Sequence, residues 1–326
     1  MKFLLFGDNL KTVQSVFDND ILDNGIFKNY EDIISEGVVY KEVEYAFGTW
    51  GVPNFSSDEI KQYFPSLKVL FYGAGSVQYF AKPFFMSKVR IFSAWAANAV
   101  PVAEYATSQV VLANKGYFKF ENCFRESGRV EAKKLESQYP GNFKTKVGIL
   151  GAGMIGRMMI ERLNSYDLEL LVFDPFMSEE QAKELGVKKS DLNTIFSECQ
   201  TITNHLAKNE ATNGIINYEH FSKMKDYTTF MNTARGTIVN EEDLKRAMRE
   251  NDTLVAILDV LDPDEERSKD DDIFTIPNII ITPHCAGSQT LELKRMGDYM
   301  KIQYNNLIHN KDTKYEVLLS DLKTMA

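Results

Sequence analysis

The sequence predicts an α/β chain of two doubly wound parallel-sheet domains. Three observations lead there. Short apolar runs alternate with segments of helical spacing along the whole chain, as strands joined by crossover helices do. One such run, residues 146–150, opens into Gly151-Ala152-Gly153-Met154-Ile155-Gly156, after which Ile155, Met159, Ile160 and Leu163 fall at helical spacing. Asp174, His205, Arg235, Asp259 and His284 all stand at or just beyond the ends of predicted strands, where open parallel sheets collect their ligands.

In chain order, Phe3–Phe6 reads as the opening strand and residues 43–49 as another, running into Trp50-Gly51-Val52-Pro53. Ser56-Ser57-Asp58-Glu59 starts a helix with capping residues and early acids. Residues 67–72 form a strand ending in Gly73-Ala74-Gly75-Ser76, and residues 89–92 a further one. Residues 101–115 have the spacing of a long buried helix with Pro101 in its first turn, where proline is well tolerated. The more polar stretch 118–143, with Pro140-Gly141, reads as a helix and an excursion suited to a subunit-contact arm. After Asp174 come strands at 202–206, 228–232, 254–258 and 278–281, and helices at 218–224, from Asn240 to about Glu250, and at 289–309. The charged run 262–272 reads as a solvated loop.

Bulk properties narrow the function. Hydrophobic content of 44% and charged content of 25% are ordinary for a soluble globular protein. A net charge of −9 without a long basic run argues against nucleic acid and anionic membrane surfaces as partners. The apolar start is too short for a signal-peptide core, and no window approaches a membrane span. Cys123, Cys199 and Cys285 are too scattered for a disulfide framework or a zinc site. The expectation is a cytoplasmic protein with reduced thiols and no metal.

The glycine motif carries a specific chemistry. Gly151 permits a tight strand-to-helix turn, Gly153 lets a pyrophosphate approach the backbone, and Gly156 lets the helix pack on the strand. The helix N-terminus presents N–H groups to phosphate. Asp174, ending the next strand, suits a ribose diol and repels a 2′-phosphate, which favours NAD over NADP. A nucleoside-binding methyltransferase is the competing reading. Arg235, between Ala234 and Gly236, offers a fork of donors for a carboxylate and a carbonyl. His284, after Thr282-Pro283, is placed for proton transfer, and Asp264 or Glu265 for bonding its ring. Taken singly, an arginine there is ordinarily a surface ion pair and a histidine can simply bond a carbonyl. Together, beside a dinucleotide site, they suit hydride transfer to a 2-oxo acid. His205 is read as lining the cofactor cleft, and His220 and His309 as surface or core residues. A Cys285–His284 dyad is disfavoured because adjacent side chains on extended backbone point opposite ways.

With these residues placed, the chain resembles the D-isomer-specific 2-hydroxyacid dehydrogenase family from about Leu67 to the closing helix. The resemblance is carried by Asn98-Ala99 with Val102-Ala103-Glu104, by the glycine motif with Asp174, and by Asn232-Thr233-Ala234-Arg235-Gly236 with Glu242 and Leu244. It continues through Leu258-Asp259-Val260 and Thr282-Pro283-His284-Cys285-Ala286-Gly287. It implies a Rossmann NAD-binding domain, residues 101–289, inserted into a flavodoxin-like substrate domain, residues 1–100 and 290–326, in a homodimer. It implies a catalytic set of Arg235, His284 and an acid at Asp264, where the family has glutamate, with Glu265 as the fallback. Cofactor contacts are expected from Gly151, Gly153, Met154, Ile155, Gly156, Asp174, His205, Thr233, Ala234, Arg235, Asp259, His284 and Gly287, with Asp259 near the nicotinamide amide. The backbone of Gly75, Ser76 and Val77 matches the family's carboxylate-binding loop. Ala207 replaces the usual proline after His-Leu.

Phosphoglycerate dehydrogenases are similar but usually carry arginine where Thr49 and Trp50 stand here. With no regulatory domain expected after residue 326, a non-phosphorylated 2-oxo or 2-hydroxy acid is the expected substrate. Trp50 is read either as an apolar wall for it or as core packing. The alternative function is a non-catalytic NAD(H)-sensing protein of the same fold.

Overall fold

The computed structural model describes residues 2–263 and 267–323. The chain divides into two compact units, Met1–Ala99 with Ser288–Ala326, and Val100–Gly287. Strands β1 (Phe3–Phe6), β2 (Gly25–Phe27), β3 (Tyr45–Gly48), β4 (Val69–Tyr72) and β5 (Arg90–Ser93) come first. Then follow β6 (Phe143–Leu150), β7 (Asp167–Phe173), β8 (Lys188–Lys189), β9 (Thr201–Asn204), β10 (Thr229–Asn232), β11 (Val255–Leu258) and β12 (Ile279–Ile281), and β13 (Glu316–Val317) comes last.

The first unit has the sheet order β2-β1-β3-β4-β5-β13, parallel except for β13 against β5. Its parallel part runs 2-1-3-4-5, the flavodoxin-like order. Alternation in β1 explains why both faces are covered: Phe3 and Leu5 enter one apolar core, Leu4 and Phe6 the other. On the first face Phe47, Phe71 and Phe92 stack across three neighbouring strands, with centroids 5.1 and 5.3 Å apart. The closing helix, Glu292–Ile308, adds Met296, Met300 and Tyr304 to that face.

The second unit has the fully parallel order β8-β7-β6-β9-β10-β11-β12. This is the dinucleotide-binding order 3-2-1-4-5-6 with one more strand, and its direction reverses between β6 and β9. Val147, Ile149 and Ile257 enter one core, while Leu150, Ile202, Phe230 and Leu258 enter the other.

Several elements differ from the sequence reading. The helix predicted at 101–115 is Trp95–Asn114, so Pro101 lies inside it rather than in its first turn. The alanines at 96, 97 and 99 extend the helix backwards through strong helix-forming residues. Stretch 118–143 is largely helical, Tyr117–Lys134, broken at Gly128 by a φ of 81°. Strands β2, β8 and β13 were not anticipated.

The charged run 262–272 is pinned, not freely solvated, in its described part. Arg267 spends all five donors. Two go to Glu241, at 2.7 and 2.6 Å, one to Asp271 at 3.0 Å, and two to the carbonyls of Asp262 and Pro263 at 2.5 and 3.2 Å. The side chains of Arg267 and Glu241 are only 10% and 20% exposed. Lys245 adds a second tie to Asp272 at 2.7 Å. Arg267→Met is therefore expected to lower unfolding stability by roughly 3 kcal/mol, because it strands a half-buried pair of carboxylates. Urea unfolding of the variant checks this, and a loss below about 0.5 kcal/mol, the scale of an ordinary surface change, would show the pairs to be surface decoration.

Among the described residues no helix is long and apolar enough to cross a membrane, and no cluster of histidine, cysteine and acidic residues is suited to a metal.

Candidate active site

The glycine motif forms a cradle whose shape each glycine sets. Gly151 has φ 93°, and a Cβ on it would lie 2.7 Å from the His205 carbonyl oxygen. A Cβ on Gly156 would lie 2.0 Å from the Gly151 oxygen, whereas one on Gly153 would meet nothing within 4 Å. The cradle is thus tight towards the sheet and open outward. Gly153 begins the helix Met154–Leu163 without any side-chain cap, so the first-turn N–H groups of Met154 and Ile155 are left for an anion. This fits a pyrophosphate. Asp174, just past β7, accepts the Ala152 N–H at 2.7 Å and the Phe176 N–H at 2.8 Å. The carboxylate therefore braces the glycine turn while standing beside it.

Past β9 and β10, two loops are joined by a pair of buried amides. Asn204 donates to the side-chain oxygen of Asn232 at 3.0 Å and accepts the Leu206 N–H at 3.2 Å. Asn232 accepts the Ala234 N–H at 3.1 Å and donates to the Arg235 carbonyl at 3.0 Å. Arg235 is thereby held by its backbone, with φ −149° and ψ 144°, and one guanidinium N–H is given to the Ala234 carbonyl at 2.6 Å. The His205 ring lies between Thr203 Oγ1, 2.8 Å away, and Thr233 Oγ1, 3.4 Å away. Desolvation pushes its pKa down to about 3, so it is a neutral imidazole at physiological pH.

Past β11 and β12, Asp259 is 1% exposed and anchors the His284 loop: its carboxylate accepts the Thr282 hydroxyl at 2.6 Å, the Cys285 N–H at 2.8 Å and the Ala286 N–H at 2.9 Å. Three donors thus converge on this one carboxylate, and the Cys285 thiol bonds it as well. His284 is exposed and holds φ 52°, and its N–H reaches back to the Thr282 carbonyl at 2.9 Å. Gly287 closes the second unit. The Cys285 thiol is pushed up in pKa, chiefly by burial and then by the nearby Asp259 charge, the opposite of an activated nucleophile. Asp264 and Glu265 lie outside the described residues.

Gly151, Asp174, His205, Arg235, Asp259 and His284 thus follow the carboxyl ends of β6, β7, β9, β10, β11 and β12 of one sheet. The other histidines serve structure. His220 Nδ1 lies 3.1 Å from the side-chain oxygen of Asn217, and His309 Nδ1 lies 2.7 Å from the Asn305 carbonyl.

In the first unit, Gly75, Ser76 and Val77 follow β4. Ser93, at the end of β5, shares its one hydroxyl proton between the carbonyls of Gly75 at 2.6 Å and Ala74 at 3.0 Å. Because trans peptides point C=O and N–H in opposite directions, those carbonyls turn the N–H groups of Gly75 and Ser76 away from Ser93. Val77 is fully buried and fixes the loop to the core. Trp50 is 39% exposed, so the core-packing reading of it does not hold. Sequence reasoning missed Ser93, Asn204 and Asn232 as organisers of these loops; a polar residue closing a buried strand was their one signal.

Residues 109–286, more than half of the chain, match the family model described as D-isomer specific 2-hydroxyacid dehydrogenase, NAD binding domain. A D-3-phosphoglycerate dehydrogenase of Archaeoglobus fulgidus is 32% identical over 199 residues, which are 61% of this chain and 37% of that protein. A Bacillus subtilis protein provisionally named as a 2-hydroxyacid dehydrogenase is 29% identical over 204 residues, 61% of this chain and 58% of its own length. The chain therefore matches less than two thirds of these relatives. Among solved structures, the NAD-complexed D-isomer specific 2-hydroxyacid dehydrogenase of Lactobacillus delbrueckii ssp. bulgaricus has a TM-score of 0.78 at 15% identity, covering 98% of this chain and 100% of that one. A D-lactate dehydrogenase of Treponema pallidum has a TM-score of 0.75 at 18% identity, covering 98% and 100%. At such identities these two structures bear on the fold alone.

Proposed function

The chain belongs to the D-isomer specific 2-hydroxyacid dehydrogenase family and carries its NAD-binding domain, and from that premise we propose that it interconverts a 2-oxo acid and a D-2-hydroxy acid. The observation that supports this best is the gathering of Arg235 and His284 at the carboxyl ends of β10 and β12, in the sheet that carries the glycine cradle. NAD(H), when bound to that cradle, supplies or accepts the hydride. Arg235 grips the substrate carboxylate and polarises its carbonyl. His284 gives its proton to the carbonyl oxygen as the alkoxide develops, and takes it back in the oxidative direction. Asp264, with Glu265 as the alternative, stabilises the imidazolium. The outward N–H groups of Gly75 and Ser76, with Val77 anchoring the loop, bind the carboxylate, and Trp50 offers an apolar wall to a non-phosphorylated side chain. We place this activity in the cytoplasm and in a homodimer, the latter checked by sedimentation equilibrium.

The deciding experiment follows NADH absorbance over a panel of 2-oxo acids, including pyruvate, 2-oxoisocaproate and a phosphorylated member. Turnover with D-product is the expected result. Tight NADH binding with no turnover on any member would sink the enzyme reading and leave an NAD(H)-sensing protein.

Asp174 carries a further expectation. Asp174→Ala removes the charge that opposes a 2′-phosphate and also the acceptor that braces Ala152. Its ratio of kcat/KM with NADH to that with NADPH is expected to fall at least about tenfold, the worth of one charge-assisted hydrogen bond. The KM for NADH rises as well, because the turn itself loosens. An unchanged ratio would mean that another group reads the ribose.

A further inference from the structure

His284 is held in the left-handed backbone region, φ 52°, which a side chain with a Cβ occupies only when its surroundings over-determine it. Those surroundings are the bonds from Asp259 to Thr282, Cys285 and Ala286, on both sides of His284. Thr282 has a single hydroxyl proton. It gives that proton to Asp259 at 2.6 Å, since an ionised carboxylate only accepts. The 3.1 Å contact between the hydroxyls of Tyr105 and Thr282 is therefore donated by Tyr105. The order of donors runs one way, from Tyr105 to Thr282 to Asp259. Burial raises the Tyr105 pKa above that of a free phenol, so its proton stays in place at any physiological pH. Each bond in such a series strengthens the next.

We propose that Tyr105, on the Trp95–Asn114 helix, is a positioning residue for the His284 loop, acting through the Thr282 hydroxyl and the Asp259 carboxylate. The proposal rests on the reading of His284 as the acid and base of 2-oxo acid turnover. Tyr105 acts without touching substrate or cofactor. It directs the Thr282 proton onto Asp259 and keeps that carboxylate aimed at the two amides that follow His284.

The test uses Tyr105→Phe, which keeps the ring and removes the donor, and Thr282→Val, which removes the middle of the series. In Tyr105→Phe, hydrogen exchange at the Cys285 and Ala286 amides is expected to quicken about tenfold, the loss of one good hydrogen bond. The Asp259 amide, bonded to the Asn232 carbonyl at 3.0 Å, keeps its wild-type rate. The kcat for 2-oxo acid reduction falls about tenfold while the Kd for NADH, read by fluorescence, does not change. The double variant loses no more than Thr282→Val alone, because both act through one series. Unchanged exchange at Cys285 and Ala286, equal acceleration across the whole unit, or additive losses in the double variant would each overturn the proposal. If the wild-type protein reduces no 2-oxo acid, the proposed function fails, and the exchange measurement still judges the role of Tyr105.

Discussion

Arg235→Ala is expected to lower kcat/KM for 2-oxo acid reduction by about three orders of magnitude or more. Two losses combine. A carboxylate left without its guanidinium partner in a desolvated site costs about 2–5 kcal/mol. A donor missing from a developing oxyanion costs about 3–4 kcal/mol. The two overlap, because in the proposed mechanism one side chain serves both groups, so a total near 4–5 kcal/mol is the reasonable sum, and each 1.4 kcal/mol is about tenfold. The fold should survive. The loop after β10 is held by Asn232 through the Arg235 carbonyl and the Ala234 N–H, which are backbone groups that alanine keeps. Melting temperature is thus expected to stay close to wild type while turnover collapses. Arg235→Lys should recover little, since an ammonium is a point charge without the planar fork. A kcat/KM within tenfold of wild type in Arg235→Ala would show that the carboxylate and carbonyl are held elsewhere.

What the sequence revealed, and what it did not, follows from the range of the forces involved. The glycine cradle, β1, β10 and the capped helix Ser57–Tyr63 were legible because each is specified within a few residues. An apolar run closed by glycine, or a serine followed by an acid that completes a capping box, needs no distant partner to be read. Three of the four edge strands, β2, β8 and β13, were not. β8 is Lys188–Lys189 and β13 is Glu316–Val317; neither has an apolar run, and each exists because a neighbouring strand offers an unpaired edge. The candidate site divides the same way. Arg235 and His284 were visible as residue types at strand ends. Their supports were not: Asn204 meets Asn232, Ser93 turns the loop after β4, and Tyr105 reaches Thr282 across a large separation in sequence. The charged run at 262–272 shows the converse error. Seven acids and two bases among eleven residues look solvated until Arg267 is seen to be enclosed by Glu241, Asp271 and two carbonyls.

His284→Gln is expected to cost about two to four orders of magnitude in kcat, the range set by a positioned general acid, and the pH dependence identifies the cause. In the proposed mechanism reduction draws a proton from His284 and oxidation returns one to it, so the two directions are expected to respond to pH in opposite senses. Both responses should vanish in His284→Gln, which keeps a hydrogen-bonding side chain and cannot exchange the proton. The assignment is unusually clean because only three other histidines are present. His205 is driven to about 3 by desolvation, so it stays neutral across the working range and contributes no such response. His220 is likewise pushed down by burial, and it bonds its own helix cap. His309 bonds a carbonyl on the closing helix of the other unit. A proton held by His205 would in any case be expelled by its surroundings, while His284 is exposed at a loop whose backbone Asp259 fixes. If His205→Gln rather than His284→Gln abolished the pH response, the acid would have to be the desolvated ring, and the desolvation that keeps it neutral would have to be relieved on substrate binding.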